Sequence, residues 1–455
     1  MTKGGFQHES WQAANQIEGG KAMFKKLKLD GKIIRQFLIV CIGSEAIYFM
    51  YAIRNVLYEP YREMLGLSHT QIGFVLSMMG MIAFFGGIPS AWVLNRFSAR
   101  KLQSINLVVT GLTGFYLISG HVTYVGMLIV GVIWGFSMEA FYWGAVTKSI
   151  RCMAPDDAQG IAFGTMEFTR GCVNMVLSAV ATAIFIGMGE TVGGIQLALG
   201  LAAGFLILMG ILTFAFLPEE DFLKADTAAG KNKESFKGVV KCLKIPQLWL
   251  VGLMGMGVYA VYLGCSLFLP FLQNVMAVPV SLVAVFGIAS SNWVRMASGP
   301  ISGLIGNKLF KSSASLMRIL FLGGMIILGV IIAVPKETNM VWPITILLIV
   351  LQVFVYMLRG VYYAPIGESG IPKEVSGSAM AVAILLIQSP MLWAFAFYGW
   401  LIDRYPGSKG YMMMFGIMLG LYAVGFIASC ILLGIIKRKG LKVNMDEAEE
   451  PASQV

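Results

Sequence analysis

Long apolar segments separated by short polar links make up most of the chain. Each segment approaches or exceeds the roughly 20 residues that a helix needs to cross the hydrocarbon layer of a bilayer. Backbone polar groups find no partner in lipid, and the segments are too long for barrel strands, so each is predicted to be an α-helix. The pattern predicts twelve membrane-spanning helices near residues 36–58, 70–93, 102–119, 122–147, 159–187, 192–217, 247–273, 279–305, 314–334, 341–366, 376–402 and 411–436.

The longest polar gap between these segments, residues 218–246, lies near the middle of the chain and is rich in lysine. It is predicted to be a cytoplasmic linker between an N-terminal six-helix bundle at 36–217 and a C-terminal one at 247–436. Residues 1–35 and 437–455 are polar and are predicted to be a cytoplasmic N-terminal segment and a cytoplasmic tail. The predicted fold class is an all-α polytopic membrane protein with two pseudo-symmetric bundles of six transmembrane helices.

Composition and charge agree with this assignment. Of the 455 residues, 57% are hydrophobic and only 13% are charged, with a mean hydropathy of +0.75; a soluble domain has about 25% charged residues. The net charge of +10 is attributed to basic residues in cytoplasmic loops, which bilayer topology favours, and not to nucleic-acid binding. Both termini are therefore predicted to be cytoplasmic, in the inner or plasma membrane. The opposite side would carry only Arg62, Lys336, Arg404 and Lys409.

The residue types that support catalysis or metal binding are scattered. The six cysteines form no Cys-x-x-Cys pair, and His8, His69 and His121 each stand alone in polar segments. We find no P-loop and no nucleophile elbow. The sequence therefore predicts neither an enzyme nor a cofactor or metal site. The expected partners are a small molecule and the lipid bilayer, and the architecture suits a monomer.

An internal repeat supports two related halves. The Gly, Ser, Asn and basic residue of segment 87–96 recur at the same spacing in segment 299–308. The fourth and tenth spans also align, which places Glu139 opposite Arg359 as charges at matching positions. Chance similarity between apolar helices is the alternative, and several aligned features in corresponding places favour a true repeat.

The loop after the second span reads SAWVLNRFSARK from Ser90 to Lys101. It resembles the Gly-x-x-x-Asp-Arg-x-Gly-x-basic-basic loop of the major facilitator superfamily, and the likeness extends from the first span to the twelfth. The resemblance implies a secondary transporter with alternating access and a loop that acts in gating. Asn takes the place of the Asp, which keeps hydrogen bonding but removes the charge. The implied gating residues, including those of the repeat, are Asn95, Arg96, Arg100, Asn307 and Lys308.

Within that superfamily, the first hairpin from Tyr48 to Ser77 is similar to the organic-anion and organophosphate branch. Arg54 falls where this branch keeps a substrate-binding arginine. Members that bind phosphate esters carry a second arginine in the seventh span, where residues 258–265 of this chain read VYAVYLGC. The resemblance thus implies an anion contact at Arg54, with Tyr48 nearby, and leaves a carboxylate or another monoanion open as the substrate.

Two further arginines lie inside predicted spans, Arg295 in the eighth and Arg359 in the tenth. A cation at membrane depth costs roughly 2.5–3.5 kcal/mol, so these side chains are not expected to face lipid. One interpretation is that they form ion pairs that hold or gate the two halves. The other is that one of them replaces the missing arginine of the seventh span as a second anion contact.

Three carboxylates lie in the predicted spans of the N-terminal half. Glu167 and Arg170 are three residues apart and can pair on one helix face. Glu45 and Glu139 are candidate protonation sites, since burial favours the neutral form of a carboxyl group. Their alternative role is structural, as partners of cations on other helices.

Aromatic residues flank the charges of the fourth and tenth spans. Tyr142 lies in the cluster Phe141–Trp143, and Tyr362 is followed by Tyr363. These rings either line a cavity and stack on a substrate or pack helices together.

The leading functional hypothesis is alternating-access transport of a small organic anion across the cytoplasmic membrane. Arg54 would anchor the anion, and coupling would be to protons through Glu45 or Glu139 or to a counter-anion. The second hypothesis is a proton-coupled symporter or exporter of a neutral or cationic compound, with structural arginines. A third, from another class, is a transporter-like sensor or a lipid-moving membrane protein.

Overall fold

The computed structural model describes residues 31–86, 90, 93–94, 96–154, 159–218, 242–295, 298, 302, 312–370 and 376–438. All regular structure in these ranges is helical. The main helices match the predicted spans in order: α1 Gly31–Asn55, α2 His69–Phe85, α3 Ala99–Leu117, α4 Tyr124–Met153, α5 Gln159–Gly187, α6 Val192–Phe216, α7 Pro246–Asn274, α8 Val280–Val294, α9 Ser313–Ala333, α10 Val341–Val361, α11 Val382–Arg404 and α12 Ser408–Arg438.

A short helix, Tyr58–Leu65, connects α1 to α2 and meets α2 at 94°. Within the described ranges, nine helices are long and apolar enough to cross a membrane, or ten if this bent pair counts as one span. Two helices fall short of that test. Polar residues such as Gln103 and Asn106 lower the hydropathy of α3, where both are buried against neighbouring helices. In the described residues α8 spans only Val280–Val294, which is shorter than the test requires. The predicted twelve-helix, all-α membrane fold is confirmed.

Several helices begin where the sequence supplies a cap. A Ser or Thr hydroxyl accepts a hydrogen bond from a backbone N–H of the first turn, which satisfies a donor that has no partner within the helix. Pro246 occupies the first turn of α7, where its missing N–H costs nothing. The capping residues are Ser68 for α2, Ser98 for α3, Thr123 for α4, Thr191 for α6 and Ser312 for α9.

We refer to α1–α6 as the N-terminal half and to α7–α12 as the C-terminal half. In the N-terminal half α6 packs along α3 and α5 packs along α1, and in the C-terminal half α12 packs along both α7 and α9. The halves meet chiefly where α2 packs along α11 and where α5 contacts α8. The space between these two seams is where residues from both halves can face one another.

Several helices depart from regular α geometry within their length. Helix α1 ends in a 3₁₀ turn, Ile53–Asn55, and α11 contains another at Ser389–Leu392. Helix α4 contains a π-helical segment, Gly135–Tyr142, and α8 contains a second one, Ala289–Val294. Such π segments inside α-helices often accompany functional sites, because they redirect side chains and free backbone groups.

Candidate functional site

Arg54 lies in the 3₁₀ turn that ends α1 and is only 4% exposed. Its Nη1 donates to the carbonyl oxygen of Tyr51 at 2.9 Å, whereas its buried Nε has no hydrogen-bond partner. The guanidinium stands 5.0 Å from the ring centre of Tyr51 and 5.1 Å from that of Phe395 on α11. Arg54 forms no ion pair with any residue in the described part of the chain. A buried, unpaired cation with a free donor is suited to bind an anion.

A small pocket opens beside Arg54. Its wall is mainly apolar and aromatic, formed by Tyr51, Tyr61, Leu76 and Trp134 among others. Ligand sites commonly combine such walls with a few polar groups that fix orientation. Arg54 supplies the charged group of this pocket.

Arg359, near the end of α10, approaches from the C-terminal half. Its guanidinium lies 3.7 Å from the ring centre of Tyr262 and 5.6 Å from that of Tyr259, both on α7. This stacking on aromatic faces holds a cation in place without neutralising it. Arg295, which follows the π segment of α8, lies within electrostatic range of Tyr262.

Tyr262 also lies within electrostatic range of Arg54. Guanidinium groups from α1, α8 and α10 thus lie within electrostatic range of one tyrosine of α7, and that of Arg359 contacts its ring. Neither Arg295 nor Arg359 forms an ion pair with a described residue. Ion pairing of Arg295 and Arg359 between the halves therefore stays a prediction, and in the described ranges Arg54, Arg295 and Arg359 together make the surroundings of Tyr262 positively charged.

Arg170 on α5 has two carboxylate partners. Its Nη2 lies 2.9 Å from Oε2 of Glu45 on α1, and its Nη1 lies 2.8 Å from Oε1 of Glu167 one turn earlier. The Glu45 side chain is 8% exposed and that of Glu167 is 50% exposed. The same guanidinium lies 4.8 Å from the ring centre of Trp143. This cluster ties α1, α4 and α5 together.

Glu139 is held by the π segment of α4. It makes no hydrogen bond and no ion pair with a described residue, although Arg170 lies within electrostatic range. Tyr48 and Tyr51 of α1 and Tyr259 of α7 lie within electrostatic range of its carboxyl group. Glu139 therefore faces the same tyrosines as the guanidinium groups, and it is the carboxylate of the cluster that Arg170 leaves unpaired.

The predicted aromatic residues are distributed over different environments. Tyr48 donates weakly to the carbonyl oxygen of Met138 at 3.4 Å and packs edge-on against Tyr51. The ring of Tyr362 lies 4.2 Å from that of Tyr363, tilted by 30°, and Tyr362 lies within electrostatic range of Arg359. Tyr142 is instead fully buried inside the N-terminal half. The structure thus brings Tyr48 and Tyr362 to the charged region and does not bring Tyr142 beside Arg54.

The predicted gating residues are only partly described. Asn95, Asn307 and Lys308 lie outside the described residues. Arg96 is exposed, and Arg100 donates to the carbonyl oxygen of Leu217 at 3.5 Å with its guanidinium 4.4 Å from the ring centre of Phe214. Arg100 thus joins the start of α3 to the end of α6 within one half.

Sequence reasoning missed Tyr51, Tyr259 and Tyr262. The sequence feature that could have identified them is a pair of tyrosines three residues apart in an otherwise apolar helix. Such pairs occur at Tyr48 and Tyr51 and at Tyr259 and Tyr262. It also missed a hydrogen bond between the halves, from Asn174 Nδ2 on α5 to Asn292 Oδ1 on α8 at 2.7 Å.

The prediction that His69 stands alone in a polar segment is wrong. The link before α2 folds into the short helix Tyr58–Leu65, and His69 is buried against it. His69 Nδ1 lies 3.0 Å from the hydroxyl of Tyr58, and its Nε2 lies 3.8 Å from Glu59 Oε1. Across the described residues, however, no group of His, Cys, Asp and Glu has the arrangement of a metal site.

Comparison with known proteins gives the same fold. Over 90% of this chain and 97% of the relative, the sequence is 30% identical to the inner membrane protein YihN of Escherichia coli K12. Similar solved structures include a bacterial homologue of the human lysosomal transporter Spinster (TM-score 0.68, 13% identity, 90% and 98% coverage). The nucleoside transporter NupG (0.67, 13%, 89% and 99%) and a D-xylose–proton symporter (0.65, 14%, 88% and 97%) are also similar.

The sequence model of the Major Facilitator Superfamily matches residues 40–394, which is most of the chain and extends from α1 into α11. The twelve-helix fold and the transporters that share it agree with that match. This chain therefore belongs to the Major Facilitator Superfamily, and it is a multi-pass secondary transporter and not an enzyme.

Proposed function

We propose that the protein transports a small organic anion and that Arg54 is its primary contact. The observation that carries this proposal is the burial of Arg54 without a carboxylate partner and with Nε unsatisfied. A buried charge whose partner is missing is strongly destabilising, so a functional anion is the economical explanation for its retention. The side chains that line the small space beside it are mainly apolar and aromatic, of the kind that would contact the organic part of such a substrate.

Arg359 is the proposed second anion contact, from the opposite half of the molecule. Arg359 stacks on Tyr262 of α7. It thereby places a cation beside α7, which carries no arginine in this region. An anion that touches both Arg54 and Arg359 would draw the halves together, which is what a substrate must do to favour an occluded state. Arg295 would add to the positive potential, and Tyr48 and Tyr362 would complete the wall.

Glu139 is the proposed proton-coupling residue. Arg170 already pairs with Glu45 and Glu167, and Glu139 is the nearby carboxylate that it leaves unpaired. A proton on Glu139 would remove a negative charge from the surroundings of the tyrosines that also face Arg54. Anion and proton would then favour each other's binding, so proton-coupled movement is favoured over counter-anion exchange.

A second candidate function is proton-coupled movement of a neutral or cationic compound. The unpaired carboxylate of Glu139 beside several tyrosine side chains favours it, because such groups also bind hydroxyls and amines. In that case the arginines near Tyr262 would be structural.

The proposed location is the inner membrane, since the relatives YihN and YqcE of Escherichia coli are inner membrane proteins. The loop charges support cytoplasmic termini and a cytoplasmic linker at 218–246 between two six-helix bundles. A single copy would suffice for transport, and the loop residues Asn95, Arg96, Arg100, Asn307 and Lys308 would act in gating.

The test is ligand-induced thermal stabilisation of the purified protein with carboxylates, phosphate esters, neutral sugars, nucleosides and organic cations. Wild type is compared with Arg54→Ala, and with Arg404→Ala as a control that removes an exposed arginine. We expect an anion that stabilises wild type and Arg404→Ala but not Arg54→Ala. A neutral or cationic ligand that stabilises all three proteins equally would overturn the anion proposal and favour the second candidate.

A further inference from the structure

The start of α2 has backbone donors that its own sequence only partly satisfies. The first turn of any helix leaves N–H groups without an intrahelical partner. Ser68 and Gln71 form a reciprocal capping box, in which Ser68 Oγ accepts from the Gln71 N–H and the Gln71 side chain accepts from the Ser68 N–H. The backbone N–H groups of His69 and Thr70, which lie between Ser68 and Gln71, are not bonded by this capping box and need another acceptor.

That acceptor comes from the opposite half of the molecule. Asp403, at the end of α11, accepts the His69 N–H on Oδ1 at 3.3 Å and the Thr70 N–H on Oδ2 at 2.6 Å. The Thr70 hydroxyl donates to the same Oδ2 at 2.5 Å. The carboxylate therefore completes the cap of α2 across the interface and places its negative charge at the positive end of that helix.

We propose that Asp403 is the latch that holds the two halves together at this end of the molecule during transport. We call this end, where α1 and α11 finish and α2 begins, the distal end. The cap can form only while the distal ends of α2 and α11 touch, so it stabilises the distally closed state selectively. The inference rests on the proposed transport function only through its alternating access, not through the identity of the substrate.

The packing beneath the latch is equally specific to the closed state. A Cβ at Gly399 would collide with the carbonyl of His69, and one at Gly73 would collide with the carbonyl of Phe395. The backbones of α2 and α11 therefore touch directly where glycine permits it. A second bond between the halves lies at the same end, from Asn274 Nδ2 to Glu59 Oε1 at 2.8 Å.

The hydrogen bonds of Asp403 can break without a large energetic penalty. Asp403 is exposed, whereas Glu59 is buried with 2% exposure. When the distal ends separate, water can replace the lost partners of Asp403, His69 and Thr70, so opening does not strand a buried charge. Asp403 therefore biases the equilibrium between the two states and does not lock it.

The first experiment measures backbone hydrogen exchange of the full-length protein in lipid nanodiscs, without substrate, for wild type, Asp403→Asn and Asp403→Ala. The control is Glu190→Gln, which removes an exposed carboxylate from the α5–α6 turn. Asp403→Ala removes both acceptor oxygens and the charge, which predicts exchange at the His69 and Thr70 amides about fivefold to tenfold faster. Asp403→Asn removes the charge and one of the two acceptor oxygens, and it should give a smaller increase, about twofold to threefold. The control should match wild type.

The second experiment measures the distance between spin labels at positions 63 and 409, both exposed, after replacement of the native cysteines. We expect a longer-distance population in both Asp403 variants and not in Glu190→Gln. Unchanged exchange and unchanged distances in Asp403→Asn would overturn the latch, and this isosteric variant decides the matter if Asp403→Ala does not fold. Neither readout uses a ligand, so failure of the Arg54 test leaves this result interpretable, and the reverse also holds.

Discussion

Arg359 stacks on Tyr262 with its guanidinium 3.7 Å from the ring centre, so a cation of α10 stands over α7. The relationship predicts different effects for two changes at position 262. Tyr262→Phe keeps the ring face that positions the cation, and anion affinity should fall by less than about threefold. Tyr262→Ala removes the face, and anion affinity should fall about tenfold or more. Calorimetric titration with the ligand found by the stabilisation screen measures both.

Equal losses in Tyr262→Phe and Tyr262→Ala would contradict this explanation, because they would assign the effect to the hydroxyl group and not to the ring. Tyr405→Ala is a suitable control, since that ring lies at the distal end beside Lys409 and Trp400. It should leave anion affinity unchanged.

The ion pair of Glu45 and Arg170 is predicted to make a large contribution to the free energy of unfolding. Replacing Arg170 by Ala leaves Glu45 in an almost fully buried site, and the free energy of unfolding should fall by about 3–5 kcal/mol. The double variant Glu45→Ala/Arg170→Ala should be more stable than the sum of the single losses predicts, because neither member of the pair is then left buried without the other. Denaturant titration in detergent gives the three values.

Glu167→Ala provides the matched comparison. Glu167 bonds the same guanidinium at 2.8 Å, but its side chain is half exposed. Its loss should therefore cost no more than about 1 kcal/mol. A loss as large as that of Glu45→Ala would show that exposure does not govern the strength of these pairs.

Glu139→Gln is predicted to remove most of the pH dependence of anion binding while the protein still binds the anion. In wild type, a proton on Glu139 removes a negative charge near the arginines, so affinity should rise as the pH falls. The Gln variant mimics the protonated state and should bind with high affinity and little pH dependence. Titrations between pH 5 and pH 8, roughly the range of biological interest, measure the slope, with Glu167→Gln as the control. A Gln variant with the wild-type slope would remove Glu139 from the coupling role.

The overall fold was predictable because lipid restricts the secondary structures that a membrane-spanning segment can adopt. Apolar segments of sufficient length must be helices, and their order along the chain is preserved in α1–α12. The pairing of Glu167 with Arg170 was predictable for a similar reason, since the three-residue spacing is a property of one helix. Arg54 could be singled out because a cation inside an apolar segment is costly wherever the helix is placed.

Contacts between distant segments were not predictable in the same way. The partnership of Arg170 with Glu45 depends on how α5 packs along α1, which no local spacing encodes. The bonds from Asp403 to Thr70 join residues 333 positions apart. His69 was misjudged because the polarity of its segment suggested exposure, whereas the short helix before α2 buries it between the halves.

The close contact of α2 with α11 can be tested by adding a side chain at Gly73. The neighbour in the way of a side chain there is the backbone carbonyl of Phe395, which cannot move as a flexible side chain would. Gly73→Leu should therefore force the distal ends apart and trap the protein open at that end, so that transport falls at least tenfold while anion binding persists. Transport into proteoliposomes and calorimetric binding measure the two effects. Gly204→Leu on α6 is the control, because nothing lies within 4 Å of a Cβ at that position. Normal transport by Gly73→Leu would mean that α2 and α11 need not touch for the distal end to close.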